Sequence, residues 1–129
     1  MRLLVCLCCS VAIGCTPSPT DPGSVDAQLT LPAGQQTPIG TGATSIRLVG
    51  VTADSRCPAA AICVWAGDAV ARFEIVRRGS AETLDLHTTL QPNRGQAAGF
   101  TIHLVELAPY PIADPIPASD YRATVRITR

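Results

Sequence analysis

The 129-residue chain has no lysine. Ten arginines carry all of its fixed positive charge against ten acidic residues, and the formal net charge is zero. That balance excludes the basic field that nucleic-acid binding needs, and it leaves no acidic tail. Arginine without lysine reads as the mark of a GC-rich genome rather than of a binding surface. Aromatic residues are scarce at 4%, while hydrophobic residues make up 47%. A core is therefore affordable, but it must be built mainly of Val, Ile, Leu and Ala. No apolar run reaches the roughly 20 residues that span a bilayer as a helix. There is no Gly-x-Ser-x-Gly turn, no glycine-rich phosphate loop and no Cys/His nucleophile pair. Glu74, Glu82 and Glu106 fall on alternating segments without a partner carboxylate. These gaps point away from an enzyme, and no cofactor is expected.

What is present begins with an export signal. Met1-Arg2 is a short positive region, 3–13 is apolar, and Gly14-Cys15 follows. The segment resembles a bacterial lipoprotein signal, in which a small residue precedes a cysteine that is acylated and becomes the mature N-terminus. It departs from that pattern in having Ala12 where leucine is usual. The resemblance implies lipidation at Cys15. Thr16, where an aspartate would retain the protein in the inner membrane, implies the outer membrane. Residues 16–27 (TPSPTDPGSVDA) are rich in Pro, Ser and Thr, bury little, and read as a flexible tether.

From 28 to 129 the pattern has period two, and no amphipathic helix of useful length appears. Strands are expected over 28–31, 45–53, 63–66 continuing through 69–78, 82–89, 100–107 and 121–128. Residues 35–42, with Pro38, read as an edge strand or loop. Ile46 and Leu48; Ala71, Phe73 and Ile75; Leu84 and Leu86; Phe100, Ile102 and Leu104; and Tyr121, Ala123, Val125 and Ile127 are the inward sets. Strand 45–53 has apolar residues on both faces and should be covered on both. Apolar Val105 and Leu107 break the alternation after Leu104, which a β-bulge would absorb. Residues 91–95 read as a turn-rich loop, and 109–117, with four prolines, as a long irregular crossing. About seven strands joined by Gly, Pro and Asn turns predict one all-β domain, an antiparallel Ig-like sandwich, with a small barrel as the alternative.

The unusual residues concentrate in 54–68, DSRCPAAAICVWAGD. In an exported protein Cys57 and Cys63 read as a disulfide closing a short loop. A structural zinc site would want four Cys or His ligands nearby, and a redox pair would want Cys-x-x-Cys. Trp65, the only tryptophan, is expected to plug the core beside the bridge. Asp54 and Ser55 suit turn hydrogen bonds, Arg56 suits pairing with Asp54 or Asp68 or docking on carbonyls, and Gly67-Asp68 marks a turn. His87 and His103 fall on outward faces; on neighbouring strands they could meet about 5 Å apart at Cβ and, with Asp85 or Glu106, hold copper or zinc.

The run DSRCP, a short spacer and CVWAG are similar to a stretch found in small uncharacterised bacterial lipoproteins with an all-β domain. The likeness extends loosely to Leu84-Asp85-Leu86, to Leu107-Ala108-Pro109-Tyr110-Pro111 and to the strand that Tyr121 opens. It implies fold and location and carries no activity. The expectation is a lipid-anchored, non-enzymatic binding or structural module, bound to the membrane through Cys15, with an unknown envelope protein or ligand as partner. Two alternatives stand beside it: a peptidase inhibitor wedging through 110–117, and a small metal-binding protein using His87 and His103.

Overall fold

The computed structural model describes residues 24–129; the expected export signal, the expected lipidation site Cys15 and most of the expected tether lie outside the described residues. Eight strands are found among the described residues: β1 (Asp26–Pro32), β2 (Gln36–Ile39), β3 (Thr44–Asp54), β4 (Ala69–Arg77), β5 (Ser80–His87), β6 (Arg94–Ala97), β7 (Phe100–Ala108) and β8 (Arg122–Thr128). They form two antiparallel four-stranded sheets, ordered β1-β8-β7-β6 and β2-β3-β4-β5, and the sheets do not close into a barrel. The fold is a β-sandwich.

Period-two patterning builds the interior. Ala69, Ala71, Phe73 and Ile75 on β4, Ile46 and Leu48 on β3, and Leu86 on β5 face Ile102 on β7 and Ala123, Val125 and Ile127 on β8, all of them at zero exposure. Outward positions carry cross-strand ion pairs instead: Arg47 with Glu74, Arg72 with Asp85, and Arg126 with Asp26. These pairs make the outer faces of both sheets largely polar, with Val49 and Val105 the exposed large apolar residues there among the described residues.

Two tight hairpins set the register. Arg78-Gly79 joins β4 to β5, and Ala98-Gly99 joins β6 to β7, and all four residues have positive φ. That is the type I′ geometry, whose twist matches paired strands. The expected bulge is present as a register shift between Leu104 and Glu106 against β8. Pro38 sits on the edge strand β2, where its missing N–H costs no ladder bond.

Four local expectations are corrected. β1 starts at Asp26, two positions early, because Asp26 pairs with Thr128 and its carboxylate takes both Nε and Nη2 of Arg126. Residues 94–95, read as the end of a loop over 91–95, begin strand β6, which runs to Ala97; this polar segment is held by its backbone ladder with β7. Residues 63–66, read as strand, leave the sheet altogether. Val49 is 47% exposed, so the second face of β3 is not covered there; a bulge at Leu48/Gly50 shifts the pairing beside it.

The strands run strictly up and down, which gives the sandwich two distinct ends. The first described residues and the C-terminus share one end, where the Arg129 amide donates to the Val25 carbonyl. Loops 55–68, 88–93 and 109–121 gather at the other.

Candidate functional site

The far end is built around the β3–β4 connection, and nearly every residue of the sequence motif has a holding role there. Past the last ladder pair, Asp54 with Ala69, the two chain segments stay together: the Ser55 amide donates to the Asp68 carbonyl at 2.7 Å, and the Cys57 amide to the Ala66 carbonyl at 2.8 Å. The Ser55 hydroxyl adds a bond to the same Asp68 carbonyl at 2.9 Å. Gly67 has φ of 71°, and a Cβ there would lie 1.8 Å from the Ser55 carbonyl oxygen, so the close approach admits only glycine.

Arg56 is buried, at 7% exposure. Its guanidinium binds both carboxylate oxygens of Asp54, through Nε at 2.9 Å and Nη2 at 2.6 Å. It also donates to the Leu107 carbonyl at 2.6 Å and the Pro109 carbonyl at 3.1 Å, and lies 5.5 Å from the Tyr110 ring centroid. Tyr121 Oη donates to Asp54 Oδ2 at 2.9 Å. Asp54 ends a strand of one sheet, whereas Leu107 lies in the other and Tyr121 immediately precedes that sheet's β8, so this ion pair ties the two sheets together. Burial pushes the Asp54 carboxyl pKa up, but the hydrogen bonds from Arg56 and Tyr121 outweigh it and the net shift is downward. Burial and the Asp54 carboxylate both raise the Tyr121 phenol.

Asp68 anchors the neighbouring loop. Its carboxylate meets His87 Nδ1 at 2.6 Å and accepts the Thr89 amide at 2.9 Å, the Leu90 amide at 3.2 Å and the Thr88 hydroxyl at 3.3 Å. Partial burial raises its pKa; the His87 bond and the two amides more than offset this and bring it to about 2.

Cys57 and Cys63 form the expected disulfide, with Cα atoms 5.9 Å apart. The loop it closes docks sideways onto the proline-rich crossing, with Ala59 and Ala60 amides donating to the Pro111 and Ile112 carbonyls at 2.9 and 3.3 Å. Trp65 does not plug the core. It is 81% exposed, because residues 59–66 project beyond the sheets, where no interior exists to receive them; Phe73 and the aliphatic residues fill the core without it.

The projection leaves an apolar tip. Ile62 (106%) and Val64 (105%) stand fully in solvent beside Trp65, and Leu90, Tyr110 and Ile112 are exposed on the adjoining loops. Six of the eight exposed large apolar side chains among the described residues are on these far-end loops. Three shallow cavities open among them: about 310 Å³ beside Arg56, Thr88 and Tyr110, about 320 Å³ under the crossing at Ile112 and Pro115, and about 160 Å³ between Trp65 and Leu90.

The histidines do not come together. His87 lies on β5, opposite Val70 and bound to Asp68; His103 lies on β7, between Arg94 and Arg126. They belong to different sheets, so the cross-strand pair does not form. No three His, Cys, Asp or Glu side chains converge on a point among the described residues.

Alternation flagged neither Ile62 and Val64 as exposed nor Tyr121 as the Asp54 donor. Periodicity carries no information inside a loop, and a tyrosine on a buried face does not reveal where its hydroxyl ends. Comparison with protein-family models, with curated proteins and with solved structures finds no match to this chain.

Proposed function

We propose that the protein is a lipid-anchored envelope module of the small bacterial lipoprotein type, and that it works by binding rather than by catalysis. The reading of 1–15 as an acylated signal and of 16–27 as a tether, whose last two residues are instead the start of β1, supplies the anchor. The observation that carries the binding role is the apolar tip: Ile62, Val64, Trp65, Leu90, Tyr110 and Ile112 are exposed at the end opposite the first described residues, while ion pairs cover the sheets. A sandwich tethered at one end presents its other end outward, and several large apolar side chains exposed at one end mark a surface for a partner.

Two measurements test the two halves separately. Globomycin treatment, or Cys15→Ala, is expected to abolish acylation and change the protein's gel mobility; unchanged mobility removes the anchor. A photo-reactive amino acid placed at Trp65 in intact cells is expected to give a discrete protein adduct that the same probe at Val49 does not; no adduct at Trp65 removes the binding role.

A further inference from the structure

The tip is more specifically made than an exposed apolar patch requires. Residues 57–66 (CPAAAICVWA) carry no charge. They are braced by the Cys57–Cys63 bridge, by the paired amides of Ser55 and Cys57, and by the two bonds onto Pro111 and Ile112. Within that frame, the N–H and C=O groups of 62–65 make no hydrogen bond among the described residues. Unpaired main chain thus lies between the protruding side chains of Ile62, Val64 and Trp65.

These features select among occupants. A bilayer core offers no partner to the unpaired N–H and C=O groups of 62–65, so burying them there is costly. A shape fixed in advance lowers the ordering cost at the moment of binding, which suits a partner that presents a formed site. A protruding loop needs a recess. Free backbone groups need main-chain partners, as in the addition of an extended segment to a strand edge, with pockets for its side chains. Absence of charge, with Ile, Val and Trp displayed, calls for apolar pockets. The substrate cleft of an endopeptidase with apolar specificity combines all of these.

We propose that the loop 61–66 inserts into such a cleft as a substrate mimic, so that the module is a peptidase inhibitor. The element that enters is the disulfide loop rather than the proline-rich crossing, which serves as its brace. Insertion is non-covalent. A cut on either side of Ile62 would leave both ends joined through Cys57–Cys63, so a nicked loop keeps its place. This inference rests on the binding role proposed above and names the partner's class.

The test uses the exported chain carrying Cys15→Ala, assayed against chymotrypsin, elastase and subtilisin with small chromogenic substrates. At least one enzyme is expected to be inhibited with a constant of about 10 μM or tighter. Trp65→Ala and Ile62→Asp should each weaken inhibition by about tenfold or more at unchanged melting temperature, since neither side chain supports the fold. After reduction and alkylation the loop should become an ordinary substrate, cut within 61–66 by mass spectrometry. Inhibition of none of the three enzymes at about 100 μM overturns the proposal. So does inhibition by either variant as strong as that of the protein with Ile62 and Trp65 in place. A shift of Trp65 fluorescence on phosphatidylcholine–phosphatidylethanolamine vesicles, or tip-dependent dimerisation, without inhibition would assign the surface to a bilayer or a second copy and equally overturn it. If the Trp65 photo-adduct forms in cells while the peptidases are untouched, the binding role stands and only this inference falls.

Discussion

Gly67 is the tightest position in the far-end loop. A methyl group there meets the Ser55 carbonyl at 1.8 Å with the backbone already at positive φ. Gly67→Ala should therefore cost more than the ~1 kcal/mol of an ordinary glycine replacement, at least about 2 kcal/mol, because the Ser55–Asp68 pairing must open to admit it. Urea denaturation of the two proteins, followed by circular dichroism, measures this. Arg56 is the second sensitive residue. Replacing it with Met leaves Asp54 with only Tyr121 as a side-chain donor and orphans the Leu107 and Pro109 carbonyls, at a cost of about 3 kcal/mol, while Tyr121→Phe should cost about 1 kcal/mol. Non-additivity in the double variant would show that the two act through the same carboxylate. Asp68 sets an acid limit. Its folded pKa of about 2 lies below the ordinary 3.8, so it contributes stability above pH 3.8 that is lost as the pH falls toward 2. The loss should be about 2 kcal/mol, and a shallower acid dependence in Asp68→Asn checks it. These roles were partly legible in the sequence. Asp, Ser, Arg and Gly-Asp in one short run announce a fastened loop, but the choice of Asp54 over Asp68 as the partner of Arg56 depends on where Leu107 and Pro109 come to lie.

The element that departs most from a sequence reading is the disulfide loop. Cysteine spacing, with the expectation of export, was enough to pair Cys57 with Cys63. They could not place Trp65, since a large aromatic beside a bridge packs inward in many small domains. Here the bridge closes a loop that has already left the sandwich. On chain-entropy grounds the bridge contributes about 2 kcal/mol, so Cys57→Ser with Cys63→Ser should lower stability by that amount while leaving the strands intact. The variant's amide exchange should rise in 57–66 and at Pro111's neighbours but remain slow in β4 and β8. Strands β4, β7 and β8 were readable because one face of each is dry and the other wet, and β3 because it is an apolar-rich run on both faces. The short polar β6 was not, because only its backbone pairing makes it a strand.

At the scale of the molecule, the two sheets were implied by composition and by regular turn signals, as sandwich or barrel alike. The decision between them lies in the edges: β1, β2, β5 and β6 remain unpaired on one side. Two of the four are only four residues long, and one of those carries Pro38, which limits pairing with a neighbour. The strictly alternating strand direction places the first described residues and the apolar tip at opposite ends, a relation that no local pattern contains.

The same arrangement fixes how the domain answers to force. A pull between its two chain ends enters where Val25 meets Arg129 and opens the β1–β8 ladder one bond at a time, as a zip fastener opens. A pull between the N-terminal segment and the far-end loop runs along the strands instead. β1 must then slide past β8 with all seven registered pairs, from Asp26↔Thr128 to Pro32↔Arg122, resisting together. A partner held at the tip would thus stretch the sandwich along its strong axis, and the module would behave as a stiff link.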